Sequence, residues 1–354
     1  MREIIESVLS EAVWAPSGDN SQPWKFRVRD ASVDVINVRI KDTSSYNYEQ
    51  RASYLALGAL IENVRVLCAA RGFEAQLRLF PDGTTDTVAR LMITKATQAD
   101  KREDASLASC VRTRASNRRP YDLEMVPSST LDMLAADGRK RGVEFRYITD
   151  RVKIGTVARA ASINERVVLE NRDLHAFLFE HVTWNARDDA ERHGFYIDTF
   201  EFKAPQRLAF KLFSFWPLLR LFNTVGASRM VAKETEKSYR TAAAYCALVL
   251  PLPVPAEGYV RSGMALQRIW LRATSKTVAL QITTGTPLLA QRVRDGDAGS
   301  LSRVHQKMLI GASESMEEAF GVRGNERLMC VFRTGFASPP TGRTSRFAPM
   351  VEFT

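Results

Sequence analysis

Three stretches of this sequence combine residue types and spacings that suit chemistry. The first is Ala15-Pro16-Ser17-Gly18-Asp19-Asn20-Ser21-Gln22-Pro23-Trp24-Lys25-Phe26. Its prolines stiffen the backbone, Ser17, Asn20 and Gln22 offer hydrogen-bonding groups, and Trp24 and Phe26 can anchor the far end in a core. The second is Arg112-Thr113-Arg114-Ala115-Ser116-Asn117-Arg118-Arg119-Pro120-Tyr121. Guanidinium groups at alternate positions of an extended loop point the same way and can grip an anion with paired hydrogen bonds, although a solvated basic loop has the same composition. The third is Thr341-Gly342-Arg343-Thr344-Ser345-Arg346, which offers either further phosphate contacts or a solvated tail.

These stretches need elements to hold them. Ile4, Ile5, Val8, Leu9, Ala12 and Val13 recur at helical spacing over residues 2–14, directly before the first stretch. Strand-like alternation follows over 26–40, then a helix over 49–71, then two strands (76–80 and 88–93) about the turn Pro81-Asp82-Gly83. The polar run 97–104 reads as a linker, dividing the chain into 1–100 and 101–354. The second part opens with a helix near 104–112, then the arginine loop. Helices are expected at 128–141, 150–180, 263–279 and 301–319, strands at 143–148, 245–250 and 328–336, and an extended tail at 339–353. Residues 203–245 form an apolar insertion broken at Pro205, Pro217 and Gly226. One plan occurs twice: the segments opening at Gly58 and Gly263 each carry an apolar stripe and place Glu62 or Gln267 four residues after the glycine.

Composition narrows the function. Fifty Lys and Arg against 40 Asp and Glu give a net charge of +10, which favours anionic partners. The cations form no dense stripe, so a nucleic-acid partner is not expected. Cys68, Cys110, Cys246 and Cys330 are far apart and form no CxxC pair, and His175, His181, His193 and His305 lack metal-ligand spacing, so neither a disulfide framework nor a metal site is expected. Dinucleotide, P-loop, metalloprotease and nucleophile-elbow signatures are missing. The N-terminal helix lacks secretory features, and the longest apolar run, 208–222, is short and contains Lys211, Pro217 and Arg220. A cytoplasmic chain without a membrane span is expected.

The first stretch resembles the flavin-ring loop of the nitroreductase superfamily, Pro-Ser-x-x-Asn-x-Gln-Pro-Trp-x-Phe. Arg114-Ala115-Ser116-Asn117-Arg118 is similar to that family's Arg-x-Ser-x-Arg signature, and Arg343 and Arg346 stand where its C-terminal phosphate-binding cations do. The resemblance covers the chain apart from about 180–245. It implies an α+β, nitroreductase-like fold. In the short members the arginine signature precedes the Pro-Ser loop and two chains form an intertwined dimer. Here the order is reversed, which resembles the double-length, single-chain members: two tandem halves forming an intramolecular pseudo-dimer with one composite site, as a monomer or weak homodimer. The implied cofactor is FMN, one per chain, bound by Pro16, Ser17, Gly18, Asn20, Gln22, Arg114, Ser116, Arg118, Thr284, Gly285, Arg343 and Arg346. Arg114, Ser116, Arg343 and Arg346 would hold the phosphate and ribityl end, and Arg118 the electron-rich ring edge. No catalytic proton donor is named. Implied is two-electron transfer from NAD(P)H through FMN to a small organic acceptor, or flavin-dependent dehydrogenation of a biosynthetic intermediate. The rival reading is a flavin store or sensor with an occluded site; a third makes the apolar insertion an interfacial membrane segment. The chain departs from the family at Thr277, where glycine is common, and over 279–287, a loose match to the loop that packs on the flavin ring.

Overall fold

The structure, a computed structural model, describes residues 1–96 and 101–354. The chain runs α1 (Arg2–Ala12), β1 (Trp24–Arg29), β2 (Ser32–Asn37), α2 (Arg51–Ala70), β3 (Phe73–Leu79), β4 (Thr87–Lys95), α3 (Lys101–Ser106), α4 (Ser128–Arg139), β5 (Glu144–Ile148), α5 (Arg151–Glu170) and α6 (Arg172–Glu180). It continues through β6 (Val182–Thr183), α7 (Ala186–Glu191), β7 (Phe195–Tyr196), α8 (Ala204–Phe213), α9 (Trp216–Thr224), α10 (Ala227–Tyr239), β8 (Ala244–Pro251), α11 (Ala256–Ser275), β9 (Ala279–Ile282), α12 (Gly285–Arg294), α13 (Arg303–Phe320), β10 (Glu326–Gly335) and β11 (Val351–Phe353). The class is α+β, as expected. The expected linker, 97–104, and the boundary placed in it lie partly outside the described residues; the described part opens α3.

Two main sheets organise the molecule. One has the order β11-β1-β2-β4-β3 and the other β5-β8-β10-β9. The second sheet is antiparallel throughout. In the first, β11 pairs parallel to β1, with Phe26 opposite Val351. The C-terminal tail therefore ends as a strand on the first sheet, not as the extended loop its proline-rich sequence suggested. A strand of three residues offers too little alternation to be read from sequence.

Between the sheets run α2 and α11, each 20 residues long. Gly263 does not open its helix, as the expected span 263–279 had it, but stands seven residues in, as Gly58 does in α2. There each helix presses backbone to backbone on the other. A Cβ on Gly58 would lie 2.0 Å from the Val260 carbonyl oxygen, and one on Gly263 would lie 2.0 Å from that of Leu55. The contact is reciprocal, and only hydrogen fits at either position. Tyr48–Ala70 is long and apolar enough to cross a membrane by length and composition, but 83 % of its apolar window is buried inside the protein. One apolar core spans α1, α2, α11 and the inner faces of both sheets, and a second lies between the other face of the second sheet and α5, α10 and α13.

The seam also holds buried charge. Glu62 accepts from Arg141 at 2.8 and 2.7 Å and meets Arg268 at 3.2 Å. Asp137 bridges Arg268 at 2.8 Å and Arg272 at 2.9 Å, and Asp104 meets Arg268 at 2.6 Å. Burial alone would lower Arg268; Glu62, Asp104 and Asp137 outweigh it and raise the guanidinium above its ordinary value.

Candidate functional site

The Pro-Ser loop leaves α1 through a tight, strained course. Asp19, Asn20 and Gln22 all have left-handed backbone, with φ of 50, 53 and 48°. Asn and Asp tolerate that region and Gln does so poorly, so the surroundings must impose it. Two contacts do. The Gln22 amide donates to Ser17 Oγ at 3.0 Å, closing the loop. Gln22 Oε1 accepts from the Phe347 amide at 3.1 Å, while Asn20 Nδ2 donates to the Ser345 carbonyl at 3.1 Å. The loop is thereby sewn to the C-terminal segment. Asp189 holds that segment from the other side, accepting from the Ser345 amide and hydroxyl, each at 2.7 Å.

Where these segments meet lies a cavity of about 90 Å³, lined by Trp14, Pro16, Ser17, Asn20, Arg114, Ala115, Ser116, Arg118, Phe195, Thr199, Gly342, Arg343, Thr344 and Arg346. All three stretches singled out in the sequence contribute. Arg114 donates to the Trp14 carbonyl at 2.8 Å and lies over the Trp270 ring at 4.4 Å. Arg343 donates to the Arg114 carbonyl at 2.8 Å, and Arg343 and Arg346 stand over the Trp14 ring at 5.2 and 5.8 Å. Arg118 donates to the Thr199 carbonyl at 3.1 Å between Phe195 and Phe200.

The electrostatics of the cavity are one-sided. Among the described residues, Arg114, Arg118, Arg343 and Arg346 form no ion pair, whereas their neighbours Arg112 and Arg119 turn away to Glu11 and Glu201. The arginines of the loop thus do not all point one way: Arg114 and Arg118 line the cavity, and Arg112 and Arg119 are neutralised outside it. Burial, reinforced by Arg346 and Arg343, holds Arg114 well below the ordinary guanidinium range. Burial, with Arg343 second, brings Arg346 down to about 10. Arg114 Nε and Arg346 Nε are buried without hydrogen-bond partners. A cluster of desolvated cations with spare donors is arranged for an anion, and a phosphate has the charge and the acceptor geometry to satisfy it.

No family model matches the chain. It is 28 % identical over 187 residues to a Mycobacterium tuberculosis protein named "Putative NAD(P)H nitroreductase", 52 % of each chain. A second protein of that name and organism is 27 % identical over 182 residues, 50 % of this chain and 53 % of the relative. The chain is similar to nitroreductases. In these matches it spans about half the length of each relative. An uncharacterized Mycobacterium tuberculosis protein is 24 % identical over 353 residues, 95 % of this chain and 46 % of that protein. Among solved structures, a Bacteroides fragilis nitroreductase with bound FMN covers 69 % of this chain and 94 % of its own at 11 % identity and TM-score 0.38. An FMN-dependent nitroreductase from Mycobacterium smegmatis, in complex with NADPH, covers 68 % and 99 % at 15 % identity and TM-score 0.36.

Four residues that the nitroreductase resemblance proposed for the cofactor stand outside the cavity lining. Gly18 faces the Asp42 carboxylate, and Gln22 holds Phe347. Thr284 Oγ1 is taken up by the backbone of Val331 and by Cys330 Sγ, and Gly285 packs so closely on Asn164 that a Cβ would lie 2.5 Å from Oδ1. Other lining residues went unread. Trp14 stands just after α1, before the Pro-Ser loop, and belongs to none of the three stretches. Phe195 and Thr199 come from the segment after β6, which the resemblance does not reach. Gly342 is required because a Cβ there would lie 2.7 Å from the Asp198 backbone. Among the described residues, no group of His, Cys, Asp and Glu is placed to hold a metal ion.

Proposed function

We propose that this chain is an FMN-dependent oxidoreductase of the nitroreductase type, passing two electrons from NAD(P)H to a small organic acceptor. The observation that carries the reading is a set of guanidinium groups, Arg114, Arg118, Arg343 and Arg346, that line one cavity and make no ion pair among the described residues, with Arg114 buried and Arg343 exposed. The names of the curated relatives agree with it. When bound, FMN supplies the redox chemistry. Arg114, Arg343 and Arg346 hold its phosphate, with Ser116 beside them. Arg118 contributes the positive charge that favours electron density arriving nearby. Pro16 and Ser17 shape the opposite wall, and Asn20 and Gln22 keep the C-terminal arginines in place through Ser345 and Phe347. The halves 1–100 and 101–354 are proposed to descend from one ancestral unit; the reciprocal glycine contact between two helices of equal length supports this.

A second reading is favoured by one observation. The cavity, about 90 Å³, is smaller than the roughly 300–1,000 Å³ of ordinary ligand pockets. It suits a phosphate, and Phe195 and Thr199 are among its lining. If the space beyond it stays shut, flavin is held and nicotinamide excluded. The test is direct: purified protein is expected to be yellow with about one FMN per chain, and to oxidise NAD(P)H when menadione or a nitrofuran is supplied. Bound FMN without turnover selects the storage reading, and a colourless protein that takes up no FMN overturns both.

A further inference from the structure

The helices α8 and α9 are apolar on two sides. Their inner side packs on aromatic rings: Phe210 meets Phe179 at 4.8 Å and Phe202 at 5.0 Å, and Phe213 meets Phe222 at 5.8 Å. Their outer side is left uncovered. Leu208 and Leu212 lie one turn apart on α8, Phe215 immediately precedes α9, Leu221 lies on α9 and Val225 directly follows it. Exposure is 63 % at Leu208, 65 % at Phe215, 64 % at Leu221 and 83 % at Val225. Scattered exposed apolar residues need no account, but successive turns of adjacent helices make a contiguous patch, which soluble proteins avoid unless something covers it.

The charge around the patch says what does. From Phe202 to Lys233 there is no Asp or Glu, while Lys203, Arg207, Lys211, Arg220, Arg229 and Lys233 are present. Of these, Arg207 pairs with Asp198; the others make no ion pair among the described residues. A groove of about 720 Å³ opens beside α8, with Trp184 and Trp216 as walls and Arg172, Lys211 and one carboxylate, Glu180, among its lining. Indole rings flanked by cations suit the boundary between acyl chains and headgroups. A second copy of the chain is a poor occupant, because a two-fold contact would set this cationic patch against itself.

We propose that α8 and α9 dock on an anionic lipid surface, their outer side lying in the headgroup layer with Lys211, Arg220 and Arg229 on its phosphates. This does not depend on the oxidoreductase reading. The experiment is flotation of the intact protein with phosphatidylcholine vesicles, with and without phosphatidylglycerol. Binding is expected only with phosphatidylglycerol and is expected to weaken as salt is added. The double variant Leu212→Asp/Phe215→Asp should lose at least about tenfold in partitioning, since two apolar anchors are removed. Lys211→Glu and Arg220→Glu should each lose about fivefold. Ile40→Asp, at an exposed apolar position elsewhere, should bind as the parent does. Absence of phosphatidylglycerol-dependent flotation, or flotation unchanged by both the apolar and the charge variants, overturns the proposal. So does a lipid-free dimer that the double variant abolishes, which would give the face to a second copy.

Discussion

Two clusters of arginine in this molecule have opposite fates. In the seam between α2 and α11, Arg141, Arg268 and Arg272 are matched by Glu62, Asp104 and Asp137. In the cavity, Arg114, Arg343 and Arg346 meet carbonyls and indole rings but no carboxylate. The shift of the guanidinium groups follows: carboxylates raise Arg268, whereas burial and mutual repulsion lower Arg114 and Arg346. A buried charge that is paired serves the fold, while one left unpaired costs stability and is retained where a ligand will complete it. Arginine alone does not separate the two cases; its partners do.

The largest effect that would sharpen this contrast is in the seam. Asp137→Ala leaves Arg268 and Arg272 short of a carboxylate in a dry environment. It should cost about 3–5 kcal/mol of folding free energy, read by denaturant unfolding. A loss no greater than that of a surface carboxylate would mean the seam is wet and its ion pairs incidental.

The matching change in the cavity should behave differently. Arg114→Met removes an unpaired buried cation, so the flavin-free protein should lose less than about 1 kcal/mol or gain stability. FMN affinity, followed by fluorescence titration, should fall by about 1.5–3 kcal/mol, the range for hydrogen bonds to charged groups. If instead folding collapses while FMN binding survives, Arg114 belongs with the seam and the phosphate assignment fails. Riboflavin gives a subtler measure on the unaltered protein. Lacking the phosphate, it should bind about 10–100-fold more weakly than FMN. Equal affinities would place the recognition on the ring and leave the arginines unexplained.

The two regions also differ in how they could be read from sequence. The seam announced itself through periodicity: Gly58 and Gly263, with Glu62 and Gln267 four residues on, lie on helical stripes that sequence spacing reports directly. The charge partners did not, because Asp137 and Arg268 are distant in sequence and only tertiary packing joins them. For the candidate cavity, Pro16, Ser17, Arg114, Ser116, Arg118, Arg343 and Arg346 stood in short, unusual strings, and they line one cavity. Phe195 and Thr199 stood in no pattern, because lining contributed by a distant segment is set by tertiary packing and has no period. Thr284 and Gly285 show the converse. Their string looked like a ligand loop, but the same small residues serve equally to let α12 pack against α5, and sequence cannot tell close approach to a cofactor from close approach to a helix.

The smallest effect expected comes from a carboxylate in the Pro-Ser loop. Burial, with the neighbouring Asp42 carboxylate second, raises the Asp19 carboxyl from 3.8 to about 7. In acid, folded and unfolded chains both hold this proton and the loop is at full stability. As pH rises past the unfolded value the unfolded chain ionises first, so stability declines until the folded carboxyl also ionises near neutrality. Asp19→Asn removes the ionisation, and Asn accepts the left-handed backbone that residue 19 adopts, with φ of 50°. The variant should therefore match its parent in acid and gain on it by about 1–2 kcal/mol between about pH 5 and 8. Glu165, also raised to about 7 by burial, adds a decline of its own to both proteins, so the quantity to follow is the difference between them. A difference independent of pH would mean that Asp19 is already ionised at the lower value and that the loop tolerates two adjacent carboxylates. Uncompensated charge would then be confined to the arginines, and the strain in the Pro-Ser loop would have to be borne by the Gln22 and Asn20 contacts to the C-terminal segment alone.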